Sequence, residues 1–191
     1  MGAVVGIFVG GQSRRMGGTP KGLLRAPDSG ETLVLRLLRI ARETLPSADV
    51  VLVGSAEPYA ALGLPALADS PAGVGPIGGL AALLAHAQAR DANQAFAVAC
   101  DLPFVGKKLL GRLASEAPGA PAAAFRVGSI WQPLFARYEP GAALSATRAA
   151  LAAGDRSLQS VLSRLDVAEL ALDDVQGHEL ADWDTPEDRA R

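Results

Sequence analysis

The sequence predicts a three-layer α/β/α sandwich built on a mostly parallel sheet. Three observations predict it. Short apolar runs alternate with longer segments of helical periodicity for most of the 191 residues. The leading runs are continuous in apolar character, as strands covered on both faces are. No repeat, low-complexity tract or linker divides the chain, so residues 1–191 read as one domain, long enough for a proper core.

The elements follow in order. AVVGIFV (3–9) is an apolar run closed by Gly10-Gly11, a buried strand and then a loop. ETLVLRLLRIARETL (31–45) has an apolar stripe at 33, 34, 37, 38, 40, 41 and 45 with arginines opposite, which predicts a helix. ADVVLVG (48–54) is a second strand. LPALADS (64–70) is a weaker one, because Pro65 suits only its start or an edge. A helix over 78–89, a strand over 94–101 and a helix over 107–117 come next. Strands at 122–127 and 131–138, with Trp131 and Phe135 alternating as core residues do, precede helices at 141–153 and 157–165 and a last strand at 167–172. Thr185-Pro186-Glu187-Asp188 reads as a helix start, with a threonine cap, proline at the first position and an acid three residues after the cap.

Charge and composition exclude some functions. Eighteen basic residues face twenty acidic ones, a net charge of −2, so no excess of cations exists to cover a nucleic acid or an anionic membrane. Only Lys21, Lys107 and Lys108 are lysines, and alanine is abundant, which reads as compositional bias. The N-terminus has no basic region before an apolar stretch and no run long enough to span a bilayer, so neither a signal peptide nor a membrane helix is expected. The single cysteine, Cys100, forms no intramolecular disulfide and fits a cytoplasmic location. It reads as a small buried hydrophobe. His86 and His178 lack metal-ligand spacing.

Chemistry concentrates where the strands end, since ligands of such sheets sit at the strands' carboxyl edge. Three segments fall there: the loop after residue 9, the loop at Asp69, and Asp101. In FVGGQSRRMGGTPKGLL (8–24), Gly10 and Gly11 let backbone N–H groups approach a ligand, and Arg14, Arg15 and Lys21 supply charge. That combination suits a multiply charged anion, most simply a phosphate chain. The loop matches neither G-x-x-x-x-G-K-[ST] nor G-x-G-x-x-G, which disfavours a P-loop NTPase and a dinucleotide-dependent oxidoreductase. Asp101 closes the apolar run AFAVAC, where a carboxylate can hold Mg²⁺ or cap the turn shaped by Pro103. Gly73, Gly75, Gly78 and Gly79 precede a helix start that either receives an anion or simply packs closely.

The same stretch resembles the signature LAGG-x-x-x-R-M-G-x-x-K-x-L-L of the MobA-like nucleotidyltransferases. ADS (68–70), GPIGGLAALL (75–84), ACDLPFV (99–105), GDRSLQSVL (154–162) and DWDTPEDRAR (182–191) are similar to further segments of that family, in the same order. The resemblance implies a Rossmann-like nucleotide-binding sheet and the transfer of GMP from GTP to the phosphate of molybdopterin, with release of pyrophosphate. It implies Mg²⁺ as cofactor, with Asp101 as its ligand and as a catalytic residue. It implies that Lys21 and Arg15 act on the triphosphate, with Arg14 a solvated neighbour. Phe8, Val9, Gly10 and Gly11 stand where the family's LAGG holds the nucleotide, and Asp69 where its nucleotide-contacting aspartate stands; a plain loop acid before Ser70-Pro71 is the other reading of Asp69. The family also implies transient contact with proteins that deliver molybdopterin or accept the product.

Three positions depart from the family pattern. Gly54-Ser55 stand where an asparagine usually follows the second strand, Gln132 where a histidine precedes Pro133, and Asp184 where an asparagine opens the last motif. Gly10-Gly11, rather than Ala-Gly, resembles the members that use guanine. Three functions stay open at this point: this guanylyl transfer, a related transfer using CTP or another phosphorylated acceptor, and nucleotide or partner binding without turnover.

Overall fold

The computed structural model describes residues 2–10 and 19–183. Seven strands form one sheet in the spatial order β3-β2-β1-β4-β6-β5-β7. They are β1 (Gly2–Phe8), β2 (Asp49–Val53), β3 (Ala66–Leu67), β4 (Ala92–Ala99), β5 (Ala122–Val127), β6 (Ile130–Tyr138) and β7 (Val167–Leu170). Six run in one direction and β6 alone opposes them, pairing antiparallel with both β4 and β5. The expected α/β layering and mostly parallel sheet are therefore present.

Alternation along β1 divides the core into two layers. Val4 and Phe8 face α2 (Pro76–Ala89), α4 (Pro140–Ala152) and α5 (Leu158–Leu162); Val5, Ile7 and Val9 face α1 (Leu33–Thr44) and α3 (Lys107–Ser115). The two faces differ in side-chain size. Toward α2 and α4 the sheet presents Ala95, Ala97, Ala122, Ala124 and Ala136; toward α1 and α3 it presents Phe96, Phe125 and Phe135. A Cβ on Gly6 would lie 2.7 Å from Leu83 of α2. Part of the alanine excess therefore has a packing cause: small residues let two alanine-rich helices lie close on one face.

The predicted elements appear with shifted ends. The strand read at 94–101 is Ala92–Ala99, the weak strand at 64–70 shrinks to two edge residues paired only with β2, and the helix read at 157–165 is Leu158–Leu162. The proposed helix start at Thr185 lies outside the described residues. Unforeseen is α6 (Asp174–Glu179), which carries a capping box: the Asp173 side chain accepts from Gln176 N–H, and the Gln176 side chain accepts from Asp173 N–H. Two 3-10 turns, Lys21–Leu23 and Glu57–Leu62, were also unforeseen. No helix among the described residues is long and apolar enough to cross a membrane.

Register places the functional edge. Phe8 pairs with both Val53 and Ala99, so β1, β2 and β4 end in one row. Because β6 runs the other way and pairs Phe135 with Val98, its first residues extend past the end of β4.

Candidate active site

A cleft of about 510 Å³ opens over that row. Phe8, Val53 and Ala99 form its floor, and Gln132, Pro133 and Leu134 of β6 form one wall. Of the residues singled out in the sequence, Phe8, Gly10, Lys21, Asp69 and Asp101 line it together. Val9 does not: its side chain lies in the core and its N–H donates to Val53 O at 2.9 Å. Gly11 and Arg15 lie outside the described residues.

Lys21 and Asp101 meet. The Lys21 ammonium donates to Asp101 Oδ2 at 2.8 Å, and both side chains are about one-fifth exposed, at 20% and 21%. Lys21 is set by its 3-10 turn, in which Leu23 N–H donates to Pro20 O and Leu24 N–H to Lys21 O. Gly22 N–H donates to the phenol oxygen of Tyr59 at 3.2 Å. Asp101 is set from the other side. Cys100 N–H donates to Phe8 O and Trp183 N–H to Asp101 O, both at 3.0 Å. Burial pushes the Cys100 thiol up to about 12, with the neighbouring Asp101 charge adding to the effect, so it is a protonated lining group and no nucleophile.

Two glycine contacts shape the opposite wall. Gly54 has φ +103°, and a Cβ there would lie 2.9 Å from both N and Cα of Gly10. A side chain has no room at Gly54, and the wall here is backbone. At the start of α2, a Cβ on Gly78 would lie 2.5 Å from Pro71 O, and one on Gly79 2.9 Å from Val53 and 3.2 Å from Asp69 Oδ1. Gly78 and Gly79 thus serve close packing of the helix on the strand ends, and that packing carries Asp69 to the cleft. Gly73 and Gly75 take positive φ, and Gly75 lines the cleft.

The donor set fits one hard divalent cation shared with a ligand. Among the described residues no group of three or more His, Cys, Asp or Glu could hold a metal by itself. Mg²⁺ does not need such a cage, since one or two carboxylates, phosphate oxygens and water complete its shell. Asp101 presents one carboxylate to the cleft, and Asp182 lines it as well. Asp182, Leu134 and Leu158 were not singled out in the sequence. The only signal for Asp182 was its place in the DWDTPEDRAR segment.

A cationic turn, a facing carboxylate and a glycine-walled cleft at the carboxyl edge of a parallel sheet can bind a nucleoside triphosphate with its metal. Comparison with known proteins agrees on the nucleoside triphosphate. The family described as MobA-like NTP transferase domain matches residues 5–170. A probable molybdenum cofactor guanylyltransferase of Opitutus terrae is 31% identical over 189 residues, covering 97% of this chain and 92% of its own length. A molybdenum cofactor guanylyltransferase of Pseudomonas putida is 36% identical over 188 residues, covering 93% and 87%. The solved structure of molybdopterin-guanine dinucleotide biosynthesis protein A from Archaeoglobus fulgidus superposes with a TM-score of 0.74 at 25% identity, covering 97% of this chain and 94% of that one.

Proposed function

Because the chain belongs to the MobA-like NTP transferase family, we propose that it is a molybdenum cofactor guanylyltransferase, acting as one nucleotidyltransferase domain over residues 1–191. An oxygen of the molybdopterin phosphate attacks the α-phosphorus of GTP. The bond from that phosphorus to the bridging oxygen breaks, and pyrophosphate leaves with the electron pair. The observation that carries this reading is the Lys21–Asp101 pair, 2.8 Å apart at the mouth of a cleft sized for a nucleotide.

The residues divide the work. Asp101 would hold Mg²⁺, which when bound supplies charge against the triphosphate and the leaving group. Lys21 exchanges its carboxylate partner for phosphate oxygens and holds the β/γ end of the chain. Arg15, by its place in the signature, adds a second cation there. The Gly10 and Gly54 backbones leave room for the base against the wall, and Asp69 borders the same end of the cleft. The β6 wall, with Gln132, faces the acceptor. Fixing two mutually repelling anions in line is the main service of such a site. We place the enzyme in the cytoplasm, where proteins that carry molybdopterin would meet it transiently.

The test is turnover. Purified protein with molybdopterin, Mg²⁺ and one of GTP, CTP or ATP should release pyrophosphate and form a dinucleotide with GTP alone. Equal or better product from CTP would move the enzyme to a cytidylyl transfer, an outcome that the missing asparagine at Gly54-Ser55 makes worth measuring. Binding without product would reduce it to a nucleotide-binding protein.

A further inference from the structure

We propose that Tyr59 is a positioning residue for Lys21, and through it for the triphosphate end of the nucleotide. The proposal rests on the role given to Lys21 above. Tyr59 sits in the 3-10 turn between β2 and β3 and is 2% exposed. It is not among the residues that line the cleft. Its phenol oxygen accepts the N–H of Gly22, the residue next to Lys21, across 37 positions of sequence.

The contact is close as well as polar. A Cβ on Gly22 would lie 2.8 Å from the phenol oxygen and 2.9 Å from ring atom Cε1 of Tyr59. The turn therefore rests directly on the ring, and glycine follows the lysine because only glycine can. The same N–H also faces the Cys100 thiol, one residue before Asp101. Tyr59 thus fixes the height of the Lys21 turn over the strand that carries Lys21's partner. Were Tyr59 only core filler, its hydroxyl would be dispensable and Phe would serve equally well.

The experiment compares Mg²⁺–GTP with GMP, which lacks the phosphates assigned to Lys21, by calorimetric titration of wild type, Tyr59→Phe and Gly22→Ala. Tyr59→Phe should raise the Kd for Mg²⁺–GTP about tenfold, the size of one lost hydrogen bond, and leave that for GMP within about twofold. Gly22→Ala, which lifts the turn off an intact Tyr59, should show the same selective loss. A positional effect predicts this split, whereas general loosening of the fold moves both ligands together. Unchanged GTP binding in Tyr59→Phe, or equal losses for GTP and GMP, overturns the proposal while leaving the functional reading in place. Failure of the wild type to bind GTP overturns both.

Discussion

The Lys21 ammonium and the Asp101 carboxylate, 80 residues apart in sequence, form a 2.8 Å ion pair just beyond the end of β4. Without nucleotide each neutralises the other. On the proposed function a magnesium nucleotide would part them, offering phosphate to the cation and metal to the carboxylate. On that reading the pair is a resting form of the binding site, and removing its cation should move nucleotide binding and bare-metal binding in opposite directions.

Lys21→Met should weaken Mg²⁺–GTP binding by about 10- to 100-fold, the loss of a charge-assisted contact. It should at the same time tighten binding of Mn²⁺ offered alone, because Asp101 loses its ammonium partner. Titration with nucleotide, and separately with Mn²⁺ by electron spin resonance, checks both signs. Stability should change by less than about 1 kcal/mol, since the pair is partly hydrated.

Gly54→Asn tests the bare wall. The substitution should destabilise the protein by about 1–3 kcal/mol, because φ +103° and the Gly10 backbone leave no place for a side chain. GTP affinity should fall as the β1 and β2 ends separate. A stable variant with tighter GTP binding would show that the wall can be remodelled and that Gly54 is no packing requirement.

Arg137 is 1% exposed and donates to the carbonyls of Ala114, Glu116 and Ala117 at the end of α3. Arg137→Met should cost about 1–3 kcal/mol in chemical denaturation, because three part-buried carbonyls lose a charged donor. Its folded fraction should bind GTP normally.

Asp28 should contribute to the pH response at the acid end. Three hydrogen bonds from the Arg36 guanidinium, at 2.9–3.1 Å, hold its carboxyl below the usual value of 3.8. The folded state thus binds this proton less readily than the unfolded state. The stabilisation is present above about pH 4 and is lost as pH falls through the lowered folded value. Asp28 is half exposed, so its contribution is at most about 1 kcal/mol. Asp28→Asn should lower the thermal midpoint slightly at pH 7 and match wild type near pH 2.

Much of this architecture is legible in the chain. The apolar run at 3–9 and the striped helix at 31–45 announce themselves by period, and the signature around Lys21 points to phosphate. Asp101 and Lys21 could each be singled out, but their meeting could not, because it depends on β1 and β4 ending in the same row. The capping pair Asp173 and Gln176 was readable as a helix start, yet α6 is only six residues long and offers almost no apolar stripe. Tyr59 gave no signal: one aromatic in EPYAALGLP matters only because Gly22 folds onto it. Nor does the chain announce that Gly54 takes positive φ against the Gly10 backbone, since that close approach depends on β1 and β2 ending side by side.

Calorimetric titration of GTP, CTP and ATP with Mg²⁺, on wild type and Asp101→Ala, tests the central claim most directly. The account predicts clear preference for GTP in the wild type and loss of that binding in the variant. Binding of none of the three, or GTP binding unchanged by removal of the Asp101 carboxylate, would contradict it.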